Sequence, residues 1–214
     1  MRLSRLPLFV VALALLGAPA LRADDTKEFL DPKNWEGNTD IFKIEDGKII
    51  GETKKDPGFN TFFCTKEKYG DFELTCKVKL TDGVGNSGFQ IRSKLVDPKK
   101  FVVHGPQVDI GSGYWGSLYG EGVGGMIKAS EKKMIEKAVK EKEVNEYHIV
   151  AKGSKVTIKI NGETMVDGDF PKLPAQDPKD AKDFPAEGII ALQVHTGYPK
   201  MKIEVTDIKF TKLK

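Results

Sequence analysis

From Ile41 onward the chain alternates apolar and polar residues with period two, in short runs separated by turn signals. A strand places successive side chains on opposite faces, so this pattern builds strands buried on one side and does not suit the 3.6-residue period of a helix. Residues 72–80 (FELTCKVKL) carry it most fully, with Phe72, Leu74, Cys76, Val78 and Leu80 on one face. Two short runs flank Asp46-Gly47 and two more flank Asn161-Gly162, dipeptides that suit the tight turn of a hairpin. Further runs occupy 88–93, 107–110, 147–151, 189–194 and 201–210. Many short strands at about ten-residue spacing predict an all-β domain, a two-sheet antiparallel β-sandwich. One segment departs from the pattern. Residues 130–142 (SEKKMIEKAVKEK) are rich in helix formers, with Met134, Ile135, Ala138 and Val139 on one stripe, and predict one short surface helix. Residues 173–185 (LPAQDPKDAKDFP) predict a loop.

Residues 1–23 are of another kind. Arg2 and Arg5 precede an apolar run from Leu6 to Leu16, followed by the small residues Gly17, Ala18 and Ala20. This is the layout of a secretory signal peptide, and the run is shorter than the ~20 residues of a spanning helix. Cleavage after Ala20 or Ala23 is expected to leave a single domain, 24–214, exported to the periplasm or secreted, with no stable membrane association. The chain's formal net charge of +3 has the same origin: Arg2, Arg5 and Arg22 belong to the 34 basic residues, and without them 31 basic face 31 acidic ones. A neutral chain lacks the basic field a nucleic-acid partner requires, so nucleic acid is excluded. Arg92 is then the single arginine among 30 lysines. A planar, always-charged fork at one position suits either a ligand-gripping site or a structural ion pair. Cys64 and Cys76 are each six residues from Gly70. A hairpin turning there would set them opposite each other, as a cross-strand disulfide or as two buried thiols. Their spacing matches neither a zinc motif nor a CxxC redox pair.

Alternation also sorts the polar residues. Gln90 and Arg92 lie opposite Phe89 and Ile91; Gln107 and Asp109 lie opposite Val108 and Ile110; Gln193 and His195 lie opposite Ile190, Leu192 and Val194. A merely solvated face shows Lys, Glu and Thr. Gln and Arg instead offer planar, directional hydrogen bonds, and Asp and His exchange protons, an inventory suited to a polyhydroxylated ligand. Glycine-rich loops at 82–88 and 111–125 adjoin this face. Within them Trp115 and Tyr119 offer flat surfaces for the C–H face of a sugar, and Tyr114 is balanced between that role and plain loop chemistry. The Asn86 amide either reaches the ligand or holds its turn. His104 could line the same mouth, Glu121 could face solvent, and His148 reads as structural. The glycine-rich stretches lack the Lys-Ser/Thr ending of a phosphate-binding loop.

Seven stretches, WEGNTDIFKIEDGKIIGE, KYGDFELTCKVKL, GNSGFQIRS, PQVDIG, SLYGEG, NEYHIVAKGSKVTIKINGETMVD and GIIALQVHTG, run in the order found in one family. From about Phe29 to Lys212 the chain resembles the 3-keto-disaccharide hydrolase, or 3-keto-glucoside 1,2-lyase–hydratase, domains. The resemblance implies a jelly roll like the concanavalin A-like lectins and glucanases. It also implies an enzyme acting on an oligosaccharide or glycoside oxidised at C3. A base removes the acidified C2 proton, an enolate forms, and the aglycone leaves C1; water adding back gives net hydrolysis. Carried onto this chain, Arg92, Asp109 and His195 are the catalytic set, with His195 or Asp109 as base and Arg92 stabilising the enolate. Asn86, Gln90, Gln107, Trp115, Tyr119 and Gln193 are the substrate-binding set. A divalent metal held through Asp109 and His195 could polarise the ketone, although no ligand spacing demonstrates one. Relatives often carry an acid immediately before the C-terminal His, where this chain has Val194. The alternative is a non-catalytic, lectin-like carbohydrate-binding sandwich; only the enzyme needs Arg92, Asp109 and His195 to converge.

Overall fold

The computed structural model describes residues 24–111 and 113–213; the expected signal peptide, 1–23, lies outside them. Among the described residues no helix is long and apolar enough to cross a membrane. The strands form two seven-stranded sheets with antiparallel pairing throughout. The first runs, in spatial order, β1 (Trp35–Glu36), β4 (Thr61–Thr65), β13 (Ile189–Val194), β6 (Asn86–Asp97), β7 (Val102–Gly111), β8 (Leu118–Glu121) and β9 (Gly125–Lys128). The second runs β12 (Glu163–Asp169), β11 (Lys155–Ile160), β10 (Asn145–Lys152), β5 (Phe72–Leu80), β14 (Met201–Lys212), β3 (Lys48–Thr53) and β2 (Phe42–Glu45).

The alternation that predicts the strands also fills the core. Phe72, Leu74, Cys76, Val78 and Leu80 of β5 belong to one buried cluster with Phe89, Ile91, Val108, Ile110, Ile190, Leu192 and Val194 of the first sheet. Both hairpin dipeptides take the conformation their turn requires: φ is 50° and 71° at Asp46 and Gly47, and 50° and 85° at Asn161 and Gly162. A one-turn helix, α1 (Thr26–Phe29), stacks Phe29 on Phe210 at 4.3 Å. The surface helix α2 (Lys132–Ala138) is shorter than the predicted segment, because Val139 has already turned to extended backbone. The Asn161 amide then takes the free carbonyl of Ala138 at 2.8 Å.

The hairpin expected around Gly70 does not form. β4 and β5 belong to different sheets, and the chain crosses between them past Tyr69, which bridges Gly188. Cys64 and Cys76 are consequently free thiols. Cys76 lies between the sheets, while Cys64 lies on the other face of the first sheet in a separate cluster with Phe62, Val103, Ile189 and Ala191. The tip of the β6–β7 hairpin folds back to reach β4. The carbonyl of Phe101 accepts from Phe62 N at 3.0 Å, and that of Lys100 from the Thr61 hydroxyl at 3.1 Å. The outer face of this sheet is thus apolar at one end. Its polar remainder is where the site lies.

Candidate active site

A cavity of about 450 Å³ opens over the polar part of the first sheet. Gln107 and Asp109 enter it from β7, since Val108 and Ile110 take the core side, and Asn86 enters from the start of β6. Tyr119 and Glu121 come from β8, and His195 follows directly on β13. Alternation thus delivers most of the expected residues to one place.

Beneath the cavity a chain of amides runs in one direction. The Ser93 hydroxyl donates to Gln90 Oε1 at 2.7 Å, Gln90 Nε2 to Gln107 Oε1 at 2.8 Å, and Gln107 Nε2 to Asp109 Oδ1 at 2.9 Å. Gln107 Nε2 also lies 3.4 Å from Gln193 Oε1. Gln90 and Gln107 are direct cross-strand partners, so register alone brings the two amides together. Gly88 makes room for them: a Cβ there would stand 2.5 Å from the Gln107 side chain. Gln193 is fully buried, and among the described residues its Nε2 has no partner. Asp109 is 6% exposed, and its burial pushes the carboxyl up to about 7, opposed by the Gln107 hydrogen bond and reinforced by the charge of Glu121. It exchanges a proton near neutrality.

The imidazole of His195 has a defined tautomer. A carbonyl oxygen only accepts, so Nδ1, 2.5 Å from Thr196 O, carries a proton, and in the neutral imidazole the lone pair is on Nε2. The turn after it is clamped by one loop. Asp56 accepts from the Thr196 hydroxyl at 2.8 Å and from Gly197 N at 2.9 Å, and Asn60 Oδ1 accepts from Thr196 N at 3.1 Å. The backbone N–H of His195 donates to Asn86 O at 3.3 Å, tying β13 to the start of β6.

Gln90 and Gln193, both expected to bind substrate, are fully buried beneath the cavity and do not line it. Two further expectations are corrected. Arg92 does not reach the cavity. β6 carries one extra residue between Gln90 and Lys94 relative to its neighbours: Gln90 pairs with Gln107 and Lys94 with His104, while Ala191 and Ile189 face Gln90 and Ser93. This bulge holds Arg92 at a φ of 48°, moves it off the alternation and puts Ser93 beside Gln90 instead. The guanidinium, with its side chain fully buried, pairs with Asp71 at 2.8 Å, donates from Nε to Gly70 O at 2.7 Å, and from Nη1 to the carbonyls of Gly153 and Pro185. Every branch of the fork is occupied, so Arg92 is a structural ion pair and stabilises no enolate. The second correction concerns Trp115, which is 1% exposed within the main core, whereas Tyr114 is 52% exposed and lines the cavity. The turn through Gly113 and Gly116 follows no strand alternation, and the larger indole takes the buried side.

The remaining candidates sort cleanly. His104 lies outside the cavity lining, packed under Gly122, where a Cβ would stand 2.5 Å from its ring. His148 pairs with Glu73 at 2.8 Å on the outer side of β10. Val194 points into the core, so the position before His195 offers the cavity nothing; its carboxylates are Asp109 and Glu121. Asn60 and Met126 also line it, and neither stands out in the sequence. Among the described residues no group of three or more His, Cys, Asp or Glu is placed to hold a metal ion.

The sequence profile described as a 3-keto-alpha-glucoside-1,2-lyase-like domain matches residues 24–211. No curated protein matches the sequence. Among solved structures the chain is similar to a candidate glycosyl hydrolase of Parabacteroides distasonis. Identity is 21%, coverage 85% of this chain and 94% of that one, and the TM-score 0.60. A second candidate glycosyl hydrolase of that organism has 18% identity, coverage of 85% and 89%, and a TM-score of 0.59. The carbohydrate binding module CBM66 of Bacillus subtilis has 12% identity, coverage of 83% and 95%, and a TM-score of 0.52. At these identities the likeness is one of fold.

Proposed function

Since the chain belongs to the family of 3-keto-alpha-glucoside-1,2-lyase-like domains, a carbohydrate-active family, we propose that it cleaves glycosides oxidised at C3 by eliminating the C1 substituent. The observation that carries this is the meeting of Asp109 and His195 in one cavity. One is a carboxyl still partly protonated near neutrality, the other an imidazole with a free Nε2. The C3 ketone acidifies the C2–H bond. His195 Nε2 takes that proton, the electron pair forms the enolate, and the C1–O bond breaks as Asp109 gives its proton to the departing oxygen. Of the three residues the enzyme is expected to bring together, only Asp109 and His195 meet, since Arg92 is engaged with Asp71. The Asn86 amide in the cavity wall takes the place of Arg92 as donor to the enolate oxygen. Gln90 and Gln107 orient the Asp109 carboxyl, and Tyr114 and Tyr119 flank the ring. Export, with residues 1–23 removed as a signal peptide, places this activity in the periplasm or outside the cell.

The test is incubation with a 3-keto aryl glucoside while aglycone release is followed by absorbance. Release is expected from the wild type, with losses of about a hundredfold or more in His195→Ala and Asp109→Asn. Retained sugar binding with no release would instead make the protein a lectin-like module.

A further inference from the structure

Elimination leaves an unsaturated ketone, with a C1=C2 bond conjugated to the C3 carbonyl and open to attack by water at C1. At that moment His195 holds the C2 proton, and the Asp109 carboxylate, though now ionised, is almost fully enclosed and already accepts from Gln107. The cavity contains one more carboxylate, Glu121. Its Oε1 accepts from Asn60 Nδ2 at 3.1 Å, and among the described residues no Lys, Arg or His forms an ion pair with it. Glu121 is only partly buried, open to water, whereas Asp109 is almost fully enclosed. The other end of the same Asn60 amide accepts from Thr196 N, next to His195. One side chain therefore ties Glu121 on β8 to the turn that carries the imidazole, across segments far apart in sequence.

We infer that Glu121 is the base that activates water for addition to C1, and that Asn60 is the positioning residue that fixes it relative to His195. This rests on the elimination proposed above. One water proton passes to the Glu121 carboxylate as the water oxygen bonds to C1. The C1=C2 pair becomes the enolate of the C3 ketone, and the proton held on His195 Nε2 goes to C2. A hydroxyl now stands at C1, so elimination and addition together amount to hydrolysis. Glu121 ends protonated and Asp109 ionised, and proton exchange through solvent restores both.

The unsaturated ketone, prepared separately, and a 3-keto aryl glucoside are each given to the wild type, Glu121→Gln and Asn60→Ala, with products followed by mass in heavy-oxygen water. The wild type is expected to place the label at C1. In Glu121→Gln hydration falls about a hundredfold, far more than aglycone release, so the unsaturated ketone accumulates. In Asn60→Ala kcat for hydration falls about tenfold with KM for the ketone little changed, a split that a purely structural role does not produce. Hydration by Glu121→Gln at the wild-type rate, or hydration and release falling in parallel in both variants, overturns the inference. So does a wild type that releases aglycone and leaves the ketone unhydrated. A wild type that hydrates the supplied ketone without releasing aglycone supports Glu121 and removes the elimination step instead.

Discussion

Replacing Arg92 separates structure from chemistry at the residue the sequence brings forward most. Arg92→Met keeps the bulk of the stem and removes the fork. It leaves the Asp71 carboxylate with the Gly153 N–H but no cation, and the carbonyls of Gly70, Gly153 and Pro185 without the guanidinium donor. Breaking a buried pair by removing one partner costs about 3–5 kcal/mol. The Asp71 side chain is 31% exposed and can recruit water, which places the loss near the lower end, about 3 kcal/mol. That is a large part of the stability of an ordinary domain. With a urea m-value of about 2 kcal/mol per molar, the unfolding midpoint should fall by about 1.5 M. Trp35 and Trp115 are both buried and report the transition by fluorescence. Arg92→Lys keeps the charge but loses the fork and should fall between the two. A midpoint unchanged in Arg92→Met would refute the structural assignment. Loss of aglycone release at an unchanged midpoint would return Arg92 to the chemistry.

Burial raises the Asp109 carboxyl to about 7, so the folded protein holds this proton more tightly than the unfolded chain. Its contribution is fully present below the ordinary carboxylate range and is lost as pH rises through about 7, a change on the order of 4 kcal/mol. Thermal melts across this range should show Asp109→Asn flattening the slope, and aglycone release by the wild type should decline above about 7 as the acid loses its proton. Trp115→Ala should cost about 3–5 kcal/mol in urea unfolding, as for any buried indole. Tyr114→Ala should leave the midpoint unchanged and weaken sugar binding by about fivefold in titration. Cys64 and Cys76 should resist alkylation until the protein unfolds, since both are buried and the Cys64 thiol is pushed up to about 12. A mass showing a disulfide, or a melting point that moves with reductant, would contradict this.

The two-sheet fold was legible because a half-buried strand writes its burial directly into every second residue. The same rule placed Gln107, Asp109 and Gln193 on the outer side of regular strands. It failed wherever the backbone stopped being regular. At Arg92 the extra residue of the bulge reverses parity, and no neighbouring residue announces it. At Trp115 a turn replaces the strand.

By itself, the sequence determined the strands, their two faces and the family to which the chain belongs, because each is encoded in local patterns of side chains. Only the tertiary structure decided that Cys64 and Cys76 lie on different layers, that Arg92 is consumed by Asp71, and that Asn60 joins Glu121 to the His195 turn. These depend on which strands become neighbours, a choice made by long-range packing of interchangeable apolar faces. Period two says which way a side chain points, but not what it will meet.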